Sequence, residues 1–116
     1  MGYRVPPRVS HIEKAMIDKA QRDEIAREIG TGNIMAISGG RIYPITHGIE
    51  LPVSGGYSVR ITLDPIDTYT VSRVFRRGGK EFIHGSISYV YADQISELAY
   101  RASCFESYDE THWSTP

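Results

Sequence analysis

From Tyr57 to Tyr91 the chain reads YSVRITLDPIDTYTVSRVFRRGGKEFIHGSISYVY. Its first part alternates apolar or aromatic residues with polar ones as far as Leu63, a period of two that is typical of a strand with one buried face. The turn at residues 64–67 contains Asp and Pro, and a second turn is Gly78-Gly79, where glycines accept the positive φ of a tight hairpin. The stretch therefore predicts three consecutive antiparallel strands, over residues 57–63, 69–76 and 80–89.

A helix is predicted over residues 92–103, directly after the third strand. Its apolar residues recur at spacings of three and four from Ile95 to Ala102, so they fall on one helical face. That face should pack on the apolar face of the sheet. The expected shared core consists of Val59, Ile61, Leu63, Val71, Ile95 and Leu98.

The chain before this stretch predicts a helical start and two further strands. Ser10 and Glu13 match a capping box, and Gly30 suits the end of a helix, so one kinked helix or two short ones should lie between them. Residues 34–37 form a short apolar run that we interpret as a buried strand. Residues 41–47 contain a proline and predict irregular chain or an edge strand, and residues 48–53 alternate as a strand does.

These elements predict a single α+β domain. It combines an N-terminal helix or helix pair, an antiparallel sheet of four to five strands ending in a meander, and a C-terminal helix packed on the sheet. We place this domain at residues 10–105, between a flexible N-terminal arm (1–9) and a polar tail (106–116).

Composition narrows the class of protein. The chain has 116 residues, 41% of them hydrophobic, and a formal net charge of −1. Near-neutral charge gives no whole-molecule attraction for nucleic acid or anionic lipid. Cys104 is the single cysteine, and we find neither a signal-peptide core nor an apolar run of the roughly 20 residues that a membrane span needs. A cytoplasmic protein is expected.

Several strings of the sequence are similar to those of a known family. They are IMAISG (34–39), GIELPV (48–53), VRITLDPIDTYTV (59–71), Arg76-Arg77-Gly78 and VYADQISELA (90–99). In these strings the chain resembles an uncharacterised family of short proteins from bacteriophages, prophages and other mobile elements. The resemblance implies a mobile-element origin and a setting in the host-cell cytoplasm, and it implies no activity.

The sequence predicts no catalytic residue, metal site or cofactor. Its four histidines lie on separate predicted elements, and none are spaced as metal ligands are. Cys104 lies at the end of an apolar predicted helix. A lone cysteine in such a place is usually a small buried apolar residue and not a nucleophile. The glycine-rich segments precede predicted strands or loops, whereas a phosphate-binding loop needs a helix N-terminus behind it.

A basic cluster at the second hairpin is the candidate binding site. Arginines and tyrosines on one sheet face could hold a phosphate backbone and stack on bases, although tyrosines half-buried in the core and a solvated hairpin would give the same pattern. The candidate binding residues are Arg60, Arg73, Arg76, Arg77, Lys80, Tyr57 and Tyr69.

The expected function is binding by a non-enzymatic accessory protein. Near-neutral charge favours a host protein as the partner, in a host-takeover or anti-defence role. Two alternatives remain: a nucleic-acid-binding module that uses the hairpin from Arg73 to Lys80, and capture of an anionic nucleotide. Because a small sheet leaves an edge exposed, a homo-oligomer such as a homodimer is also possible.

Overall fold

The computed structural model describes residues 11–104, with side chains described from residue 16 onward. The predicted N-terminal arm, the Ser10 cap and the polar tail lie outside these residues. The elements are α1 (His11–Ile29), α2 (Thr31–Ser38), β1 (Tyr43–Ile45), β2 (Gly48–Pro52), β3 (Tyr57–Leu63), β4 (Tyr69–Arg77), β5 (Lys80–Val90), a 3-10 turn (Ala92–Gln94) and α3 (Ile95–Ser103). This confirms the predicted α+β architecture.

The five strands form one antiparallel meander in the order β1-β2-β3-β4-β5. Each strand pairs with the next along the chain, and the three predicted strands of the C-terminal meander are confirmed to within one residue. Gly78 and Gly79 make the tight β4–β5 turn with φ values of 58° and 77°. Pro44 lies in β1, an edge strand, where the proline costs no ladder hydrogen bond on the outer side.

The prediction of a buried strand at residues 34–37 is wrong, because these residues lie in α2. Ile34 and Ile37 are buried, whereas Met35 between them is 56% exposed. A spacing of three residues between buried side chains is helical, but a four-residue run is too short to reveal it in the sequence. The helix ends at Gly39, which adopts the left-handed conformation and donates its N–H to the Met35 carbonyl at 2.9 Å.

The core lies between the three helices and one face of the sheet. Of the predicted core residues, Val59, Ile61, Val71 and Ile95 are fully buried, and Leu63 and Leu98 are partly buried against them. The helices contribute the further buried side chains Ile25, Ile29, Ile34, Ile37, Ala99 and Ala102. Helix α1 therefore docks through its C-terminal half.

In the N-terminal half of α1, two apolar side chains are exposed. Met16 is 66% exposed and Ile17 is 50% exposed, although both are apolar.

None of the helices described is long and apolar enough to cross a membrane.

Candidate functional site

The predicted binding residues do not share one surface, because the strands place them on opposite faces of the sheet. Arg60 pairs across the strands with Glu50 and Ser72, and Arg76 pairs with Glu81, on the face that carries no described helix. We call this the open face. The remaining predicted residues alternate onto the face that carries the helices: Tyr57, Tyr69, Arg73, Arg77 and Lys80.

The open face carries an ion-pair network that spans four strands. Arg60 contacts Glu50 at 3.2 Å and Glu81 at 2.9 Å. Arg76 donates to Glu50 at 2.9 Å and contacts Glu81 at 3.0 Å. Two guanidinium groups thus meet two carboxylates, and their charges cancel. Arg60 and Arg76 are engaged within the protein and are poor candidates for contacts to phosphates.

Glu50 is the centre of this network, with a side chain that is only 6% exposed. Burial by itself would raise the pKa of Glu50. The hydrogen bond and charge of Arg76, with those of Arg60, outweigh burial and hold this pKa below its ordinary value. The same hydrogen bond to Glu50 raises the pKa of Arg76. Both groups are therefore charged at neutral pH.

Acid should remove the stabilisation that Glu50 provides. Because its pKa is lower in the folded chain than in the unfolded one, its contribution is complete above the unfolded pKa and is lost as the pH falls through the folded pKa. We expect Glu50→Gln to lower the free energy of unfolding by about 1–2 kcal/mol near pH 7, since the arginines are partly exposed, and by progressively less as the pH falls through the folded pKa of Glu50. Urea unfolding at a series of pH values measures this difference.

Glu97→Gln is the matched control for Glu50→Gln. Glu97 pairs with Arg101 one helical turn away, and its side chain is 69% exposed. Its replacement should cost less than about 0.5 kcal/mol at any pH. A Glu50→Gln deficit that is equally large at both ends of the pH series would contradict the role of ionised Glu50.

Arg73 is buried and belongs to the structure of the fold, which corrects its prediction as an exposed binding residue. Its side chain is 1% exposed. Its Nε donates to the Ala102 carbonyl at 3.1 Å and its Nη2 to the Cys104 carbonyl at 2.9 Å. The last carbonyls of a helix have no N–H donor within the helix, so the Arg73 guanidinium supplies donors to them. Its positive charge also complements the negative end of the helix dipole.

Tyr69 is also buried, at 7% exposure, and belongs to the core cluster. Burial raises the pKa of its hydroxyl, and the negative charges of Glu24, Glu28 and Asp67 raise it further. Tyr69 is therefore not available for stacking on a base. The burial of Arg73 and Tyr69 removes both residues from the predicted binding surface.

The remaining predicted residues lie beside three aromatic or imidazole rings that the sequence interpretation had not selected. The Phe75 ring centroid lies 4.6 Å from that of Tyr57, 6.4 Å from that of Phe82 and 5.5 Å from that of His84. Phe82 is 45% exposed and His84 is exposed, whereas Tyr57 and Phe75 are half-buried. We define the hairpin patch as Tyr57, Phe75, Arg77, Lys80, Phe82 and His84.

Two cations border the rings at the hairpin tip. Arg77 and Lys80 are cross-strand partners, both are exposed, and within residues 16–104 neither forms an ion pair. A two-residue turn at Gly78-Gly79 fixes Phe75 opposite Phe82, so this register was available from the sequence. The patch combines apolar rings with uncompensated positive charge.

The described residues contain no group of three His, Cys, Asp or Glu side chains placed to hold a metal ion. Cys104 is half-buried at the end of α3. Comparisons of the chain with protein-family models, with curated proteins and with solved structures found no match. The case for a function therefore depends on the geometry of the patch.

Proposed function

We propose that the protein acts by binding another protein through the hairpin patch and catalyses no reaction. The observation that supports this is the cluster of four rings beside two exposed cations on a tightly turned antiparallel hairpin. Aromatic and arginine side chains are enriched at the centres of protein interfaces, where a few of them provide most of the binding energy. A hairpin with a two-residue turn also holds these side chains in place before binding, which lowers the entropic cost.

Charge favours a protein partner over nucleic acid. Of the five basic side chains in the predicted site, Arg73 is buried and Arg60 and Arg76 are held by Glu50 and Glu81. Two phosphate contacts, from Arg77 and Lys80, would give a salt slope of only about −1.8. That is weak electrostatic affinity for a duplex.

The class of partner follows from the resemblance to short phage and mobile-element proteins. We propose that the partner is a host protein in the cytoplasm of the host cell, and that binding it serves a host-takeover or anti-defence role. The positive border of the patch favours an acidic surface on that partner. Nucleic acid and an anionic nucleotide are the two other ligands that the test below distinguishes.

Three variants test this function. Arg77→Ala with Lys80→Ala removes the positive border, and Phe82→Ser removes the exposed ring. Tyr89→Ser is the control, because Tyr89 is 70% exposed on the same strand but lies outside the patch. Each is used to capture proteins from a bacterial lysate, and retained proteins are identified by mass spectrometry.

We expect one retained protein to be lost in both patch variants and kept by Tyr89→Ser. Because Arg77, Lys80 and Tyr89 are exposed, their variants should unfold within about 0.5 kcal/mol of the wild type. Phe82→Ser also loses the stacking on Phe75 and should cost about 1 kcal/mol. Titrations with a generic DNA duplex, single-stranded RNA and nucleoside triphosphates at low salt should show no saturable binding. Tight, salt-sensitive binding of any of these would overturn the protein-binding proposal.

A further inference from the structure

The described chain ends on the face of the sheet that carries the hairpin patch. Arg73 holds the Cys104 carbonyl at 2.9 Å, on the helix-bearing face of the sheet. On β4, Phe75 is the next residue that faces the same way, about 7 Å further along the strand. The side chain that binds the last described carbonyl is therefore the neighbour, on the same face of β4, of one ring of the patch.

The composition of that C-terminal segment matches the patch. Residues 105–116 read FESYDETHWSTP, with three aromatic residues, three acidic residues and no Lys or Arg. The patch offers rings for the aromatic side chains and two cations for the carboxylates. Twelve residues can extend over about 40 Å, several times the spacing of about 7 Å between Arg73 and Phe75 along β4.

We infer that residues 105–116 pack on the hairpin patch of the same chain. Phe105 and Trp113 would contact the rings, and the acidic side chains would lie near Arg77 and Lys80. A segment joined covalently to the domain through Cys104 has a high effective concentration at the patch, so modest contacts suffice to hold it. Any external ligand of the patch would have to displace it.

This inference goes beyond the proposed function, because the contact lies within one chain and requires no partner. It also predicts a chemical preference. A ligand able to compete with the segment should itself be an acidic stretch with aromatic side chains.

Trp113 gives a direct test in the full chain, since it is the single tryptophan. Acrylamide quenching of its fluorescence measures whether the indole is covered. In the wild type we expect protection relative to a synthetic peptide of residues 105–116. Phe82→Ser should raise the quenching constant by at least about two-fold, the change expected when a segment docked half of the time or more is released.

Two further measurements make the test specific. Lys80→Glu should also release Trp113, by repulsion at an exposed turn position where loss of folding is not expected, and added salt should weaken the protection in the wild type. Tyr89→Ser should leave quenching unchanged. Circular dichroism confirms that each variant is folded.

Three outcomes would overturn the inference. Trp113 could quench in the wild type as readily as in the peptide. Protection could persist unchanged in both Phe82→Ser and Lys80→Glu, so that the segment packs elsewhere. Protection could disappear on dilution of the protein, which would place the segment on a second copy. None of these depends on whether a host protein binds.

Discussion

Replacing Arg73 with methionine should lower the free energy of unfolding by about 3 kcal/mol. Methionine fills much of the same volume, but it leaves the carbonyls of Ala102 and Cys104 without the donors that Arg73 provides at 3.1 and 2.9 Å. The end of α3 then loses both its hydrogen bonds to β4 and the cation at its negative pole. Chemical denaturation of the purified variant measures the loss.

Two variants separate this role of Arg73 from a general need for positive charge. Arg73→Lys keeps the charge but has no planar fork with which to reach two carbonyls at once, so it should recover less than half of the loss. Arg77→Met removes a charge from an exposed position four residues away and should change stability by less than about 0.5 kcal/mol. A near-neutral Arg73→Met would show that α3 is not held through this side chain.

The burial of Arg73 could not be predicted from the sequence around it. The alternation of β4 places residue 73 on the same face as Val71, which was a predicted core residue. The charge of the side chain suggested exposure, and it was grouped with its neighbours at the hairpin. Burial of an arginine requires acceptors, and these come from the end of α3, about thirty residues later in the sequence.

The meander was predictable because local rules determine it. The period-two alternation marks where the strands run, and the Asp-Pro turn and Gly78-Gly79 mark where they end. These local signals agree with one another. The opposite placement of Phe75 and Phe82 follows from the two-residue turn alone. Three of the six patch residues, Tyr57, Arg77 and Lys80, were among the predicted binding residues. Cross-strand pairing at the turn would have added Phe75 and Phe82.

The ion-pair network around Glu50 was harder to predict from the sequence than the meander. Glu50 and Arg60 alternate onto the polar faces of two neighbouring strands, but their pairing depends on the β2–β3 register. One residue of slip would move Glu50 away from Arg60. The helix α2 was missed for a different reason, since four apolar residues fit a buried strand and a short helix equally well.

That β2–β3 register depends on a glycine, and Gly48→Ala should be the other severely destabilising substitution. Gly48 begins β2 and lies opposite Thr62. A Cβ added there would lie only 2.0 Å from the Ile61 carbonyl oxygen, which is backbone and cannot move as a side-chain end can. The two strands must separate locally, at an expected cost of about 3 kcal/mol in unfolding free energy.

Gly32→Ala is the matched control, because it adds the same methyl group at a glycine with open space. Gly32 lies in α2, and a Cβ there would meet nothing within 4 Å. Alanine loses less backbone entropy than glycine in a helix, so this variant should be more stable than the wild type by up to about 1 kcal/mol. Thermal and urea unfolding of both variants should thus give shifts of opposite sign. Equal, small shifts would mean that β2 and β3 do not approach as closely at Gly48 as the structure has them.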